Sequence, residues 1–143
     1  MPVESAAMLR VPAQAWRLQE LRAQVRASAA GRGFDGATVD ALVLAVNEAC
    51  MNVIQHGYRG AEGDIELNIL ALENGIEFRV RDDAPRIGLD DWRPRPLDEL
   101  RPGGLGVHFI RAIMDEIAYL PLPGTQGNLL SMKKYRHSDG KQS

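Results

Sequence analysis

Three polar residues recur every four positions in the stretch NEACMNVIQHGYRG, residues 47–60: Glu48, Asn52 and His56. Four residues is about one helical turn, so in a helix these side chains share a face. A carboxylate there can orient or deprotonate a hydroxyl. A neutral amide oxygen one turn on can complete the shell of a Mg2+ held mainly by phosphates, because that ion keeps few protein ligands and several waters. The imidazole reads as a helix-end residue. For the row as a whole, the plain alternative is a solvated polar face.

Two further stretches could do chemistry beside it. RPGGLGVHFI sets Gly103, Gly104 and Gly106, with Leu105 between them, before a helix. The first N–H groups of a helix lack internal partners and favour an anion, and glycines let a phosphate come close. The stretch is not a P-loop, since no Gly-Lys-Ser/Thr follows. It is not a full dinucleotide fingerprint, since Phe109 stands where the third glycine belongs. An ordinary glycine turn is the competing reading. Asp82 falls at the end of a strand-like run, where a carboxylate can accept from an exocyclic amine such as that of adenine; a strand-ending turn residue is the alternative.

These groups need elements to position them. AQAWRLQELRAQVRASAAGRG spaces Leu18, Leu21 and Val25 as one apolar helical face, ended by Gly31 and Gly33. A second helix is expected from Asp35–Thr38 to about His56, buried along Val39, Leu42, Val43, Val46, Cys50 and Val53, with Gly57 suited to leaving it. The period then drops to two in DIELNILAL and GIEFRVRD, and Asn74-Gly75 between them signals a hairpin. The following DAPRIGLDDWRPRPLDELRPGG holds four prolines and four arginines with almost no periodicity. A loop of that length in a compact domain reads as a lid, over residues 84–103. GGLGVHFIRAIMDEI reads as a third helix, and EIAYLPLPGTQGNLLSMKKY as two strands. A short strand is allowed around Met8–Val11, and residues 136–143 read as a polar tail. The fold expected is α+β in two layers, a mixed, mostly antiparallel sheet with its helices on one face.

The totals bound the function. The chain has 143 residues, 45% apolar and 25% charged, which suits one domain, 1–143, with a sizeable core. A net charge of −2 gives no bulk attraction to nucleic acid or an anionic membrane. No apolar run long enough to span a bilayer and no secretory signal are read. The single cysteine, Cys50, fits a reducing compartment, hence a cytoplasmic protein. The histidines show no metal-ligand spacing. Residues 1–33 hold five arginines against Glu4 and Glu20. Those on the first helix are read as a surface that steers an acidic partner, against the alternative of a solvated helix face.

NEACMNVIQHGY resembles the N-box of the GHKL (Bergerat-fold) ATPases in its E-A-x-x-N-x-x-x-H-x-Y form. RVRDDAP resembles the strand end carrying that family's adenine-reading motif. GGLGVHFIRAIMDEIAY with GNLLSMKKY resembles the glycine box and closing strands of one branch, the bacterial anti-sigma-factor serine/threonine kinases. The resemblance covers roughly residues 10–135. It implies Glu48 as general base, Asn52 as the Mg2+ ligand, Asp82 as the adenine reader and Gly104 and Gly106 as phosphate-loop glycines. Gly103 and Leu105 lie beside these in the nucleotide-binding stretch, and Ala84 occupies the first glycine position of D-x-G-x-G. It also implies ATP and Mg2+ as cofactors, a sigma factor and a STAS-domain anti-anti-sigma protein as partners, and a homodimer, with no direct nucleic acid and no membrane. The departure is Asp82-Asp83-Ala84-Pro85-Arg86, with both glycines replaced. Alanine at 84 suits a backbone of negative φ and penalises a positive one.

Three functions follow. The first is an ATP-dependent protein serine/threonine kinase that sequesters a sigma factor and phosphorylates its antagonist, favoured by Glu48 and Asn52. The second is a catalytically weak nucleotide-binding module that holds a sigma factor or another partner without phosphoryl transfer, favoured by the lost glycines. The third, the ATP-binding part of a histidine kinase, needs a phosphoacceptor helix pair ahead of the domain, and the short stretch before it sets that reading aside.

Overall fold

The two alternating stretches pair as expected, and the strands around them complete one sheet. The computed structural model describes residues 4–85, 104–124 and 126–136. In chain order these are β1 (Glu4–Pro12), a 3-10 turn (Ala15–Arg17), α1 (Leu18–Gly31), α2 (Gly36–Asn52), a π-helical turn (Val53–Tyr58), β2 (Asp64–Leu72), β3 (Gly75–Pro85), α3 (Gly104–Ile113), β4 (Glu116–Tyr119) and β5 (Gln126–Tyr135). The sheet order is β1-β2-β3-β5-β4. Every pairing among the described residues is antiparallel, so the expected mixed sheet is simpler than that.

Alternation along the strands decides which face meets the helices. Ile65, Leu67 and Ile69 are fully buried, as are Ile76 and Phe78 across the hairpin, with Val80 nearly so. Register sets Leu67 against Val80 and Ile69 against Phe78; β5 adds Leu130 opposite Val80 and Met132 opposite Phe78. From the other layer come Leu18, Leu21 and Val25 of α1, Leu42, Val46 and Cys50 of α2, and Ile110 of α3. Burying a Leu, Ile or Phe side chain contributes ~1.5–3 kcal/mol, so this one shared face dominates the fold's stability. The result is two layers with α2 in the middle, touching α1, α3 and β3.

Several boundaries differ from expectation. The strand expected at Met8–Val11 runs over Glu4–Pro12, an edge strand on β2 with an irregularity between Ser5 and Ala7. The hairpin loop is Glu73–Asn74, and Gly75 already belongs to β3. Gly75 is needed there by a close approach, since a Cβ would lie 2.2 Å from the Lys134 carbonyl oxygen. α3 ends at Ile113 and does not extend through MDEI, because Asp115 donates to the Lys133 carbonyl and Glu116 starts β4 on β5. Asp35 caps α2 by accepting from the Thr38 N–H (2.8 Å). The helix leaves not at Gly57 but at Arg59, whose φ of 54° is left-handed, followed by Gly60 at 83°. α2 and its π-helical turn form one helix, Gly36–Tyr58, of 23 residues, within which an 18-residue window has mean hydropathy 1.4. By length and apolarity this reaches a membrane span, contrary to the expectation of no such run, yet its apolar side packs in the core. Residues 84 and 85 of the expected lid belong to β3; its remainder, 86–103, and the tail from 137 lie outside the described residues.

Candidate functional site

Glu48 and Asn52 stand one turn apart on the last two turns of α2, both half-buried, and His56 is exposed in the π-helical turn. Behind them on the same helix, Cys50 is fully buried. Burial first, and then the nearby Asp82 charge, push its thiol up to about 12. Asp82 therefore lies near Cys50, on the side of α2 that faces the sheet.

Asp82 is 5% exposed. Its Oδ1 accepts from the Ala84 N–H (2.9 Å) and from Asn128 Nδ2 (3.0 Å). Burial raises its pKa above the usual aspartate value, and these two donors only partly oppose that. The surrounding backbone is irregular. Asp82 pairs with Asn128 and Pro85 with Gln126, so residues 83 and 84 of β3 face the single residue Gly127 of β5. This is a bulge. Gly127 has φ of +90°, and a Cβ on it would sit 2.9 Å from the Asp82 carbonyl oxygen. Asn128 Nδ2 also donates to the Pro85 carbonyl (3.1 Å), and Gln126 Nε2 to that of Asp83 (2.9 Å). The strand end is thus fixed by side chains where the ladder lapses.

Ala84 is buried in β3, and its φ is not positive. The backbone at this position therefore imposes no left-handed conformation on the alanine that replaces a glycine. Its Cβ faces Gly57, where an added Cβ would come within 3.1 Å. Gly104, Leu105 and Gly106 form the first turn of α3, which packs on α2; Gly103 lies outside the described residues.

Among the described residues no group of three or more His, Cys, Asp or Glu could hold a metal. A lone amide at Asn52 suits a Mg2+ that arrives already bound to phosphates. A polar cavity of about 190 Å³ is lined by Arg10, Asp64, Glu66, Arg81, Asp82 and Asp83. Arg10, Glu66 and Arg81 are in register on the face away from the helices, so this cavity is not a base pocket under α2.

The arginine-rich N-terminal end is committed within the molecule. Arg10 pairs with Asp64 and Glu66, Arg17 with Glu20 and Arg26 with Asp40. Arg22 donates to Asn47 (2.9 Å), and Arg32 to the carbonyls of Leu72 and Gly75. These arginines tie α1 to α2 and to the sheet hairpin, and the acceptors of Arg22 and Arg32 are neutral oxygens.

Sequence reasoning missed Asn128, which lies 46 positions from the aspartate it holds. It also assigned nothing to Tyr58, whose only signal was its place at the end of the N-box pattern.

Residues 11–134 match the histidine kinase-like ATPase domain family. The chain is 28% identical over 136 residues to a serine-protein kinase RsbW of Bacillus cereus strain B4264, covering 89% of this chain and 82% of that protein. It is 27% identical over the same length to a serine-protein kinase RsbW of Bacillus anthracis strain A0248. Among solved structures it resembles the histidine kinase domain from the blue-light activated histidine kinase of Erythrobacter litoralis EL346. The TM-score is 0.53 at 20% identity, over 87% of this chain. The chain spans 61% of the length of that structure, and the likeness is one of fold.

Proposed function

The chain belongs to the histidine kinase-like ATPase domain family, and from that premise we propose that it is an ATP-dependent protein serine/threonine kinase acting as an anti-sigma factor. One observation carries the reading: a carboxylate and an amide one turn apart on α2, the helix whose buried Cys50 lies near the buried Asp82 carboxylate of β3. Asp82 reads the adenine amine. Asn52 holds the Mg2+ that comes with the triphosphate, and the glycines opening α3 receive the phosphates. Bound ATP supplies the γ-phosphoryl group. Glu48 takes the proton from the acceptor serine as its oxygen bonds to phosphorus and ADP leaves. Similarity to proteins named serine-protein kinases supports serine as the acceptor.

The partners follow from the same resemblance: a sigma factor held by the kinase, and a STAS-domain antagonist that is its substrate. A homodimer, a cytoplasmic location and a single domain over 1–143 complete the reading. A second reading, a regulatory module that binds nucleotide but transfers poorly, is favoured by the loss of both glycines of D-x-G-x-G, with Ala84 and Arg86 in their places and Pro85 between them. Co-purification from the native cell with and without ATP, followed by phosphoserine mapping on the captured proteins, separates the two. The kinase reading requires a captured protein to gain phosphoserine when ATP is present. A nucleotide-dependent partner that never becomes phosphorylated leaves the module.

A further inference from the structure

The pairing of β2 with β3 ends at Glu66 opposite Arg81, two positions short of the start of β2. Continued in register it would set Ile65 opposite Asp82 and then Asp64 opposite Asp83. In its place stands the Tyr58 hydroxyl, which accepts from the Asp83 N–H (2.8 Å) and donates to the Asp64 carbonyl (2.8 Å). A side chain from the end of the α2 helix is thus inserted between two strands as a replacement rung. Burial chiefly, with the Asp82 and Asp83 charges, raises the phenol's pKa, so the hydroxyl keeps its proton.

The insertion is built on both sides. A Cβ on Gly63 would come 2.2 Å from the Tyr58 ring, so the ring occupies the space that a side chain at 63 would need. The neighbouring Gly57 lies against Ala84 in the same way. Residues 57 and 58 therefore touch positions 84 and 83, the two that follow Asp82. Those are the positions where β3 bulges away from β5 and has no regular ladder partner.

We propose that Tyr58 is a positioning residue for the nucleotide base. Its hydroxyl keeps β2 and β3 apart by the width of one oxygen and so sets where the Asp82 carboxylate stands at the end of β3. This rests on the reading of Asp82 as the adenine acceptor. Without the hydroxyl, the Asp83 N–H and the Asp64 carbonyl either lose their partner or close directly on each other. Either outcome moves the backbone next to Asp82.

The test compares ATP with purine riboside triphosphate, the same nucleotide without the exocyclic amine, by calorimetry. The unmodified protein should prefer ATP by about 10- to 100-fold, the loss expected for one hydrogen bond to a charged acceptor. Tyr58→Phe keeps the ring and should shrink that preference by about threefold or more, because a displaced acceptor loses part of the bond. Gly63→Ala, which pushes the ring but keeps the hydroxyl, should do the same. Exchange of the Asp83 amide, measured without nucleotide, should quicken in Tyr58→Phe. A merely structural tyrosine weakens both nucleotides equally; an unchanged preference ratio in both variants overturns the proposal, as does a Tyr58→Phe protein that does not fold. An unmodified protein that binds neither nucleotide sinks the ATP-binding reading and this inference with it. A preserved ratio in an ATP-binding protein sinks the inference alone.

Discussion

Replacing Asp82 with asparagine should push affinity and stability in opposite directions. In the structure Oδ1 accepts from the Ala84 N–H and from Asn128 Nδ2. An asparagine oxygen can take over both bonds, and its NH2 then occupies the Oδ2 position. The adenine amine would meet a donor in place of a charged acceptor. Losing such a bond costs ~1.5–3 kcal/mol, or about 10- to 150-fold in Kd. Stability moves the other way. Burial raises the folded pKa of Asp82 above its unfolded value, so the folded state binds the proton more tightly. The contribution of this group is therefore largest at low pH and falls as pH rises from the ordinary aspartate range through the raised value. Removing the charge should raise Tm at neutral pH and flatten the pH dependence over that window. Calorimetry with Mg-ATP and thermal melts from pH 3 to 8, on the order of the carboxylate range, read both effects. A variant that binds ATP as well as the parent refutes the base-reading role. One that loses ATP and also melts lower refutes the buried-charge account.

Glu77 gives the opposite pH sign. It is 2% exposed on the sheet face away from the helices, and it accepts from Arg79 Nε (2.8 Å) and Ser131 Oγ (2.6 Å). Its burial works against the charge, but these hydrogen bonds and the Arg79 and Lys133 charges outweigh it and hold the carboxyl below the usual range. The stabilisation is present above the ordinary glutamate pKa and lost as pH falls through the lowered one. Glu77→Gln should cost ~1.5–3 kcal/mol at pH 7 in urea melts and much less at pH 3, and an equal loss at both would contradict the charge assignment. Cys50, fully buried with its thiol at about 12, should resist a thiol-reactive disulfide at pH 8 and react only when denaturant is added. Rapid modification of the native protein would show that the layer beneath Glu48 opens.

The legible parts of the fold were those with local signals. DIELNILAL and GIEFRVRD alternate because one sheet face meets the helices, and the α2 stripe from Val39 to Cys50 is buried for the same reason. The insertion of β5 between β3 and β4 was not legible, since it depends on pairing between Phe78 and Met132 far along the chain. The end of α2 was misread because Gly57 looks like a helix exit. Contact with Ala84 explains that glycine instead, and Arg59 makes the turn. At the site, spacing alone set Glu48 and Asn52 on one face. The support of Asp82 came from Asn128 and the Gly127 bulge, whose roles exist only once two distant strands meet. The acceptors of the N-terminal arginines, Asp40, Asn47, Asp64 and Glu66 among them, were not legible because they come from other elements.

The central claim is that Glu48 takes the serine proton in a phosphoryl transfer from ATP. Single-turnover transfer of radiolabelled γ-phosphate to the serine of the STAS-domain antagonist, by the unmodified protein and by Glu48→Gln, tests it most directly. The account predicts transfer ~10²–10⁴-fold slower in the variant, the usual worth of a positioned general base, with ATP affinity nearly unchanged. An unmodified protein that binds ATP and labels no antagonist, or a Glu48→Gln protein that labels it at the parental rate, would contradict the account.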